Sequence, residues 1–159
     1  MSATDPKAFR NALGSFATGV TVVTTLDKDG NKVGMTANSF NSVSLDPMLV
    51  LWSIAKTANT FDTYNEADHF AIHILGAEQQ NISNKFASKG VDRFEGIETK
   101  EGIAGIPVLT DCKAAFQCTI ESRFEGGDHI ILVGRVEAFE TQEDKAPLIF
   151  HAGQYAQLA

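Results

Sequence analysis

The chain has 159 residues, a formal charge of −7, 43% hydrophobic and 21% charged residues, which suits one soluble domain (1–159) with a real core and excludes a disordered chain. The acidic balance would repel a polyphosphate backbone, and the 13 Lys and Arg residues form no cluster, so nucleic acid is disfavoured as a partner. No apolar stretch approaches the ~20 residues that span a bilayer, and Met1 to Arg10 shows no basic segment leading into an apolar run, so the expectation is a cytoplasmic protein with no membrane partner.

Asp5-Pro6 reads as a helix cap followed by proline at the first helical position, with Phe9, Leu13 and Phe16 at helical spacing, so a short helix is predicted to about Ala17. Gly19 ends it. Val20 to Thr25 is β-branched, Asp27 to Gly30 is turn chemistry, and Lys32 to Ser39 can return as the second strand of a hairpin. Met48 to Trp52 is a continuous apolar run, as in a strand buried on both faces. Thr60 to Ala67 reads as a helix, His69 to Leu75 as a strand, and Glu78 to Ser88 as a helix with Ile82 and Phe86 on one side. Arg93 to Pro107 is turn-rich. Lys113 to Phe124 and His129 to Thr141 are two long strands joined by Glu125-Gly126-Gly127-Asp128, the largest predicted hairpin. Strands dominate, and antiparallel closure into a barrel removes their edges.

Local signatures of the common catalytic classes are missing: no G-x-G-x-x-G, no phosphate loop, no H-E-x-x-H, no C-x-x-C and no G-x-S-x-G. Cys112 and Cys118 lie six residues apart in strand-like sequence, too far for a disulfide within that strand, and read as buried free thiols. His69 and His73 would pair on a helix. In a strand they sit about 13 Å apart, so ordinary sheet histidines outrank a metal site, and none is expected. His129, beside Gly-Gly-Asp, and His151 can each reach a cleft.

Gly34-Met35-Thr36-Ala37-Asn38-Ser39-Phe40 followed by Ser42 to Pro47 closely resembles the signature of flavin reductase-like proteins. The resemblance includes Phe16 to Thr24, Ser53 to Phe61, Asn84 to Ala87, Arg93 to Gly96, Gly127-Asp128-His129 and Pro147 to Tyr155, in the family's order. It implies a mainly β chain with short helices, an FMN-binding split β-barrel of antiparallel Greek-key type, and a homodimer. The implied activity is an NAD(P)H:flavin oxidoreductase that passes hydride from NADH, less readily NADPH, to FMN or FAD and supplies reduced flavin to a separate monooxygenase. A tightly FMN-bound electron carrier that does not itself use NAD(P)H is the alternative.

A flavin presents a flat ring, a polar pyrimidine edge and an anionic tail. Thr36, Ala37, Asn38 and Ser39 match the segment that lies along the ring edge in the family. Ser53, Ala55, Lys56, Thr57 and Thr60, before and at a predicted helix start, are assigned to ribityl and phosphate. Lys85 adds a second charge, while Phe86 is read as core packing. Gly127, Asp128 and His129 match the family's nicotinamide-side Gly-Asp-His, with His129 the candidate catalytic residue through placement of NAD(P)H; His151 and Tyr155 border the same pocket. Hydride transfer needs close stacking and little acid–base chemistry, so positioning carries the catalysis.

Overall fold

A computed structural model describes residues 3–159, so Met1 and Ser2, the first positions of the expected domain, lie outside the described residues. Asp5 caps α1 (Pro6–Leu13): its carboxylate accepts from the amides of Lys7 and Ala8 at 3.1 Å, and Pro6 occupies the first turn, where an amide would have no helical partner. The helix stops short of Ala17 because Gly14, a poor helix former, takes the C-cap position. Phe9, Leu13 and Phe16 remain exposed.

The strands are β1 (Thr18–Gly19), β2 (Thr21–Leu26), β3 (Lys32–Ala37), β4 (Asn41–Leu45), β5 (Met48–Ala55), β6 (His69–Ile74), β7 (Thr99–Glu101), β8 (Pro107–Leu109), β9 (Ala114–Gly126), β10 (His129–Thr141), β11 (Ile149–His151) and β12 (Gln154–Ala156), with α2 (Phe61–Glu66) and α3 (Gln80–Ala87) between them. A seven-stranded sheet runs β3-β2-β6-β9-β10-β5-β4, every neighbour antiparallel. Its two edges, β3 and β4, are consecutive in the chain and joined only by Asn38 to Phe40. Laid flat, seven strands would hold those edges roughly 29 Å apart. Three linking residues reach roughly 14 Å at most. The sheet must therefore curl into a barrel, and the seam between β3 and β4 carries no ladder.

All sides of the curl share one core: Val23, Val50, Trp52, Ile54, Phe70, Ile72, Cys118, Ile130 and Leu132, closed by Tyr64 from α2. Trp52 meets Tyr64 and Phe70 edge-to-face at 4.9 and 6.1 Å, arrangements worth something beyond area burial. The Tyr64 hydroxyl donates to Val23 O at 2.6 Å. Gly134 faces this cluster, where a Cβ would stand 2.6 Å from the Phe70 ring. A second cluster, with Val22, Leu75, Phe86 and Leu148, packs α3 and the C-terminal segment against the barrel.

Two expectations are corrected. β5 alternates: Val50, Trp52 and Ile54 are buried while Leu49, Leu51 and Ser53 are half-buried, because an antiparallel strand in a curled sheet turns one face outward. Cys112 precedes β9 instead of lying within it, although both thiols are buried and free. The short strands β1, β4, β7, β8, β11 and β12 carry too little alternation to be read, and pairing creates them. The long hairpin is as expected. Gly127 and Asp128 alone join β9 to β10, and Gly127 takes the positive φ of +70° that such a tight turn demands.

Candidate functional site at one barrel rim

The ends of β3, β5 and β10 converge on one rim. His129 pairs with Ala55 at the start of the β10–β5 ladder, and the Lys56 amide donates to Asp128 O at 2.9 Å. The β3–β4 link is pinned to β5 through Ser39, whose hydroxyl accepts from Ser53 N at 2.9 Å and donates to Ser53 O at 3.1 Å. Asn38 donates to the Thr18 hydroxyl at 3.3 Å, reaching β1, which pairs with the β11 strand that carries His151. Thr36 donates to Ser83 O of α3 at 2.7 Å. The sequence-predicted segments 36–39, 53–57 and 127–129 are thus tied to one another by named bonds.

The C-terminal hairpin joins the same side. Tyr155 on β12 places its hydroxyl 2.6 Å from the buried Ser83 Oγ and donates to Asn84 Oδ1 at 2.8 Å. His151, exposed on β11, lies beyond that contact. Ser83 follows from spacing: three residues before Phe86, it shares that residue's inward face.

Lys85 and Thr60 each make a contact within the fold. The Lys85 ammonium donates to Glu95 O and so staples α3 to the following turn. Thr60 donates to Met35 Sδ at 3.7 Å and makes no side-chain cap on α2. The cations that line the hollow beside Thr36 and Thr60 are Lys89 and Arg93, with Met35, Ala58 and Phe86; the Arg93 guanidinium already donates to Gly34 O and Ser88 O. This hollow, about 220 Å³, and one of about 290 Å³ share Asn59, Thr60, Lys89 and Arg93 as walls. Together they enter the range of small-molecule pockets. Lys89 stands just past the end of α3, before Gly90, and no periodicity marks it.

A larger hollow, about 620 Å³, is walled by Asp27, Asp62, Glu66 and Asp68 among others. It contains no predicted site residue, and its carboxylates would repel a phosphate. Among the described residues no group of three or more His, Cys, Asp or Glu could hold a metal.

Electrostatics separate the histidines. His73 is fully buried on β6; Leu109 N donates to its Nε2 at 3.0 Å, so Nδ1 carries the proton and donates to Val22 O at 2.9 Å. Burial pushes it down to about 4, with the Val22 bond opposing. At the rim, His129 Nδ1 lies 2.7 Å from Asp128 Oδ1, and the hydrogen bond from His129, then its charge, holds the Asp128 carboxyl below its usual range. Burial raises the Cys112 and Cys118 thiols to about 11 and about 12, so neither is a thiolate nucleophile at neutral pH.

A mainly β barrel with short helices, unpaired at one seam and lined at one rim by small, hydroxyl and cationic residues, defines a class of protein that comparison identifies: residues 13–159 match the flavin reductase like domain, and the chain belongs to that family. It is 47% identical over 137 residues to the stachydrine N-demethylase reductase subunit Stc3 of Rhizobium meliloti (strain 1021), covering 86% of this chain and 60% of that protein. Another relative from that organism is covered over only 44% of its length. The flavin-dependent monooxygenase reductase subunit HsaB of Rhodococcus jostii (strain RHA1) is 40% identical, over 96% of this chain and 78% of its own. The structure of the Streptomyces globisporus C-1027 NADH:FAD oxidoreductase SgcE6 in complex with NAD and FAD fragments superposes with a TM-score of 0.91 at 35% identity, covering 100% of this chain and 98% of that one.

Proposed function

We propose that the chain is an NAD(P)H:flavin oxidoreductase that passes hydride from NADH, less readily NADPH, to FMN or FAD and hands reduced flavin to a separate monooxygenase. The observation that carries this reading is the convergence of 36–39, 53–57 and 127–129 on one rim through the Ser39–Ser53 and Lys56–Asp128 bonds. The donor set fits a flavin: small side chains at Ala37 and Asn38 leave the end of β3 approachable, hydroxyls stand at Thr36, Ser39, Ser53, Thr57 and Thr60, and Lys56 and Lys89 supply cations.

Bound flavin would supply the hydride acceptor. Thr36 to Ser39 would lie along its ring edge, and Ser53, Ala55, Lys56, Thr57 and Thr60 would hold its tail, with Lys89 a nearer cation for the hollow than Lys85. Gly127 gives the chain a tight turn that brings Asp128 and His129 to the rim. Asp128, ionised at neutral pH, accepts from His129 Nδ1, which leaves Nε2 as the ring atom offered to the nicotinamide nucleotide. Tyr155, locked to Ser83 and Asn84, fixes β12 and with it the hairpin bearing His151. The chain's part in the reaction is orientation.

NADH consumption by the purified protein with FMN, FAD or no flavin tests the reading. Flavin-dependent turnover supports it; a retained flavin with no oxidation of NADH or NADPH replaces it with the electron carrier. In a turning-over enzyme, His129→Ala should raise KM for NADH about five- to tenfold, the scale of one lost hydrogen bond, and change flavin affinity less. Equal losses in both overturn the nicotinamide role.

The same reading includes a homodimer in the cytoplasm. Exposed Val43, Leu45 and Met48 and half-buried Leu49 and Leu51 put apolar surface on the β4–β5 hairpin, the sort a second copy covers. Sedimentation at the mass of one chain refutes it. Among the described residues no helix is long and apolar enough to cross a membrane.

A further inference from the structure

Lys56 is assigned above to an anionic tail, yet its ammonium is already engaged. Nζ lies 2.6 Å from Glu125 Oε2, with the lysine side chain 40% exposed and the glutamate 75% exposed. Glu125 is the penultimate residue of β9, two residues before the Gly127-Asp128 turn, and in the ladder it pairs with Ile130, next to His129. The Lys56 charge also acts on the Asp128 carboxyl. The ammonium thus contacts one carboxylate of the hairpin tip, Glu125, and the backbone bond from Lys56 N to Asp128 O holds the tip beside it.

We infer that Glu125 is a resident carboxylate occupying a phosphate site on Lys56, displaced when a phosphate-bearing ligand binds. The inference rests on the proposed function and adds to it a residue that sets preference between phosphorylated and unphosphorylated ligands. Three physical points carry it. A carboxylate and a phosphate offer lysine the same thing, anionic oxygens at hydrogen-bond distance, so they compete for one site. An ion pair this exposed is weak and its partners are mobile, so displacement is easy. A phosphate approaching Lys56 with Glu125 in place would meet that carboxylate as a like charge, so binding requires that it swing away into solvent, which its exposed position allows.

The phosphate can belong to the flavin or to the nicotinamide nucleotide, and the experiment separates the two. Glu125→Gln keeps the shape and removes the charge at an exposed position. Its affinities for FMN and for riboflavin, measured by fluorescence titration, and its KM for NADH are compared with those of the unmodified protein. If the site takes the flavin's phosphate, Glu125→Gln tightens FMN about two- to fivefold, the scale of an exposed ion pair, and leaves riboflavin unchanged. If it takes the nicotinamide nucleotide's phosphates, KM for NADH falls by that factor while both flavins stay put. In either case the gain disappears in a Lys56→Met background, where Glu125 has nothing to occupy. No gain in any of the three, an equal gain for FMN and riboflavin, or a gain that survives Lys56→Met overturns the inference while the reductase reading stands. A protein that neither binds flavin nor oxidises NADH overturns both.

Discussion

His73 and His129 show how differently this chain treats one side chain at two places. In the barrel wall, His73 has both ring nitrogens committed to backbone partners and is held neutral by burial. At the rim, His129 has one nitrogen on the exposed Asp128 and a side chain 44% exposed. Among the described residues, Trp52 Nε1 is the one buried side-chain polar atom of the wall left without a partner. The rim leaves its polar groups in contacts that water or a ligand can replace, which is the distinction between a group that specifies a fold and one that can meet a substrate.

The sharpest way to break the comparison is to damage the wall. Trp52→Ala removes the largest fully buried side chain, one stacked edge-on against Tyr64 and Phe70, and should cost ~3–5 kcal/mol of stability. Denaturant melts check it; a loss under 1 kcal/mol would mean that the core does not close around this ring.

Acid should do less, and through His73. Its folded value, about 4 against 6.5 for the free side chain, means that the unfolded chain binds the extra proton between those values. Stability is therefore complete above about pH 6.5 and falls as the pH drops toward 4, by ~2 kcal/mol at pH 5. Thermal melts at pH 7 and 5 should show the decrease, and His73→Gln should flatten that part of the profile. An unchanged decrease in the variant would place its origin elsewhere.

The smallest effect belongs to the rim. Tyr155→Phe removes the hydroxyl shared by Ser83 and Asn84 and should cost about 1 kcal/mol, read as a small shift in midpoint. A loss above 3 kcal/mol would mean that β12 is part of the wall after all.

Much of this was legible in residue order. The Asp5 cap, the β2–β3 hairpin, α3 with Phe86 facing inward, and the long β9–β10 hairpin follow from capping chemistry, turn residues and periodicity. Barrel closure was foreseen from the number of strand edges, and the Asn38 to Phe40 link shows how it is achieved. The two-sided burial expected of β5 failed because an apolar run records hydrophobicity without saying which face meets the core, and the outward Leu49 and Leu51 read the same as Trp52. At the rim, segments 36–39, 53–57 and 127–129 were legible as candidates because each is local in sequence. Lys89 and Glu125 were not, since their importance comes from neighbours far along the chain, Thr36 and Thr60 for one and Lys56 for the other.

The β5–β10 ladder has a consequence for how the chain comes into being. Ile54 pairs with Ile130, roughly 75 residues later, so at a synthesis rate of about 5–20 residues per second β5 leaves the ribosome roughly 4–15 s before its partner exists. For that interval Trp52 and Ile54 have only part of their final surroundings, and β5 has only β4 on one edge to pair with. Chaperone dependence during translation should therefore fall once β10 has emerged, although the finished barrel hides the reason.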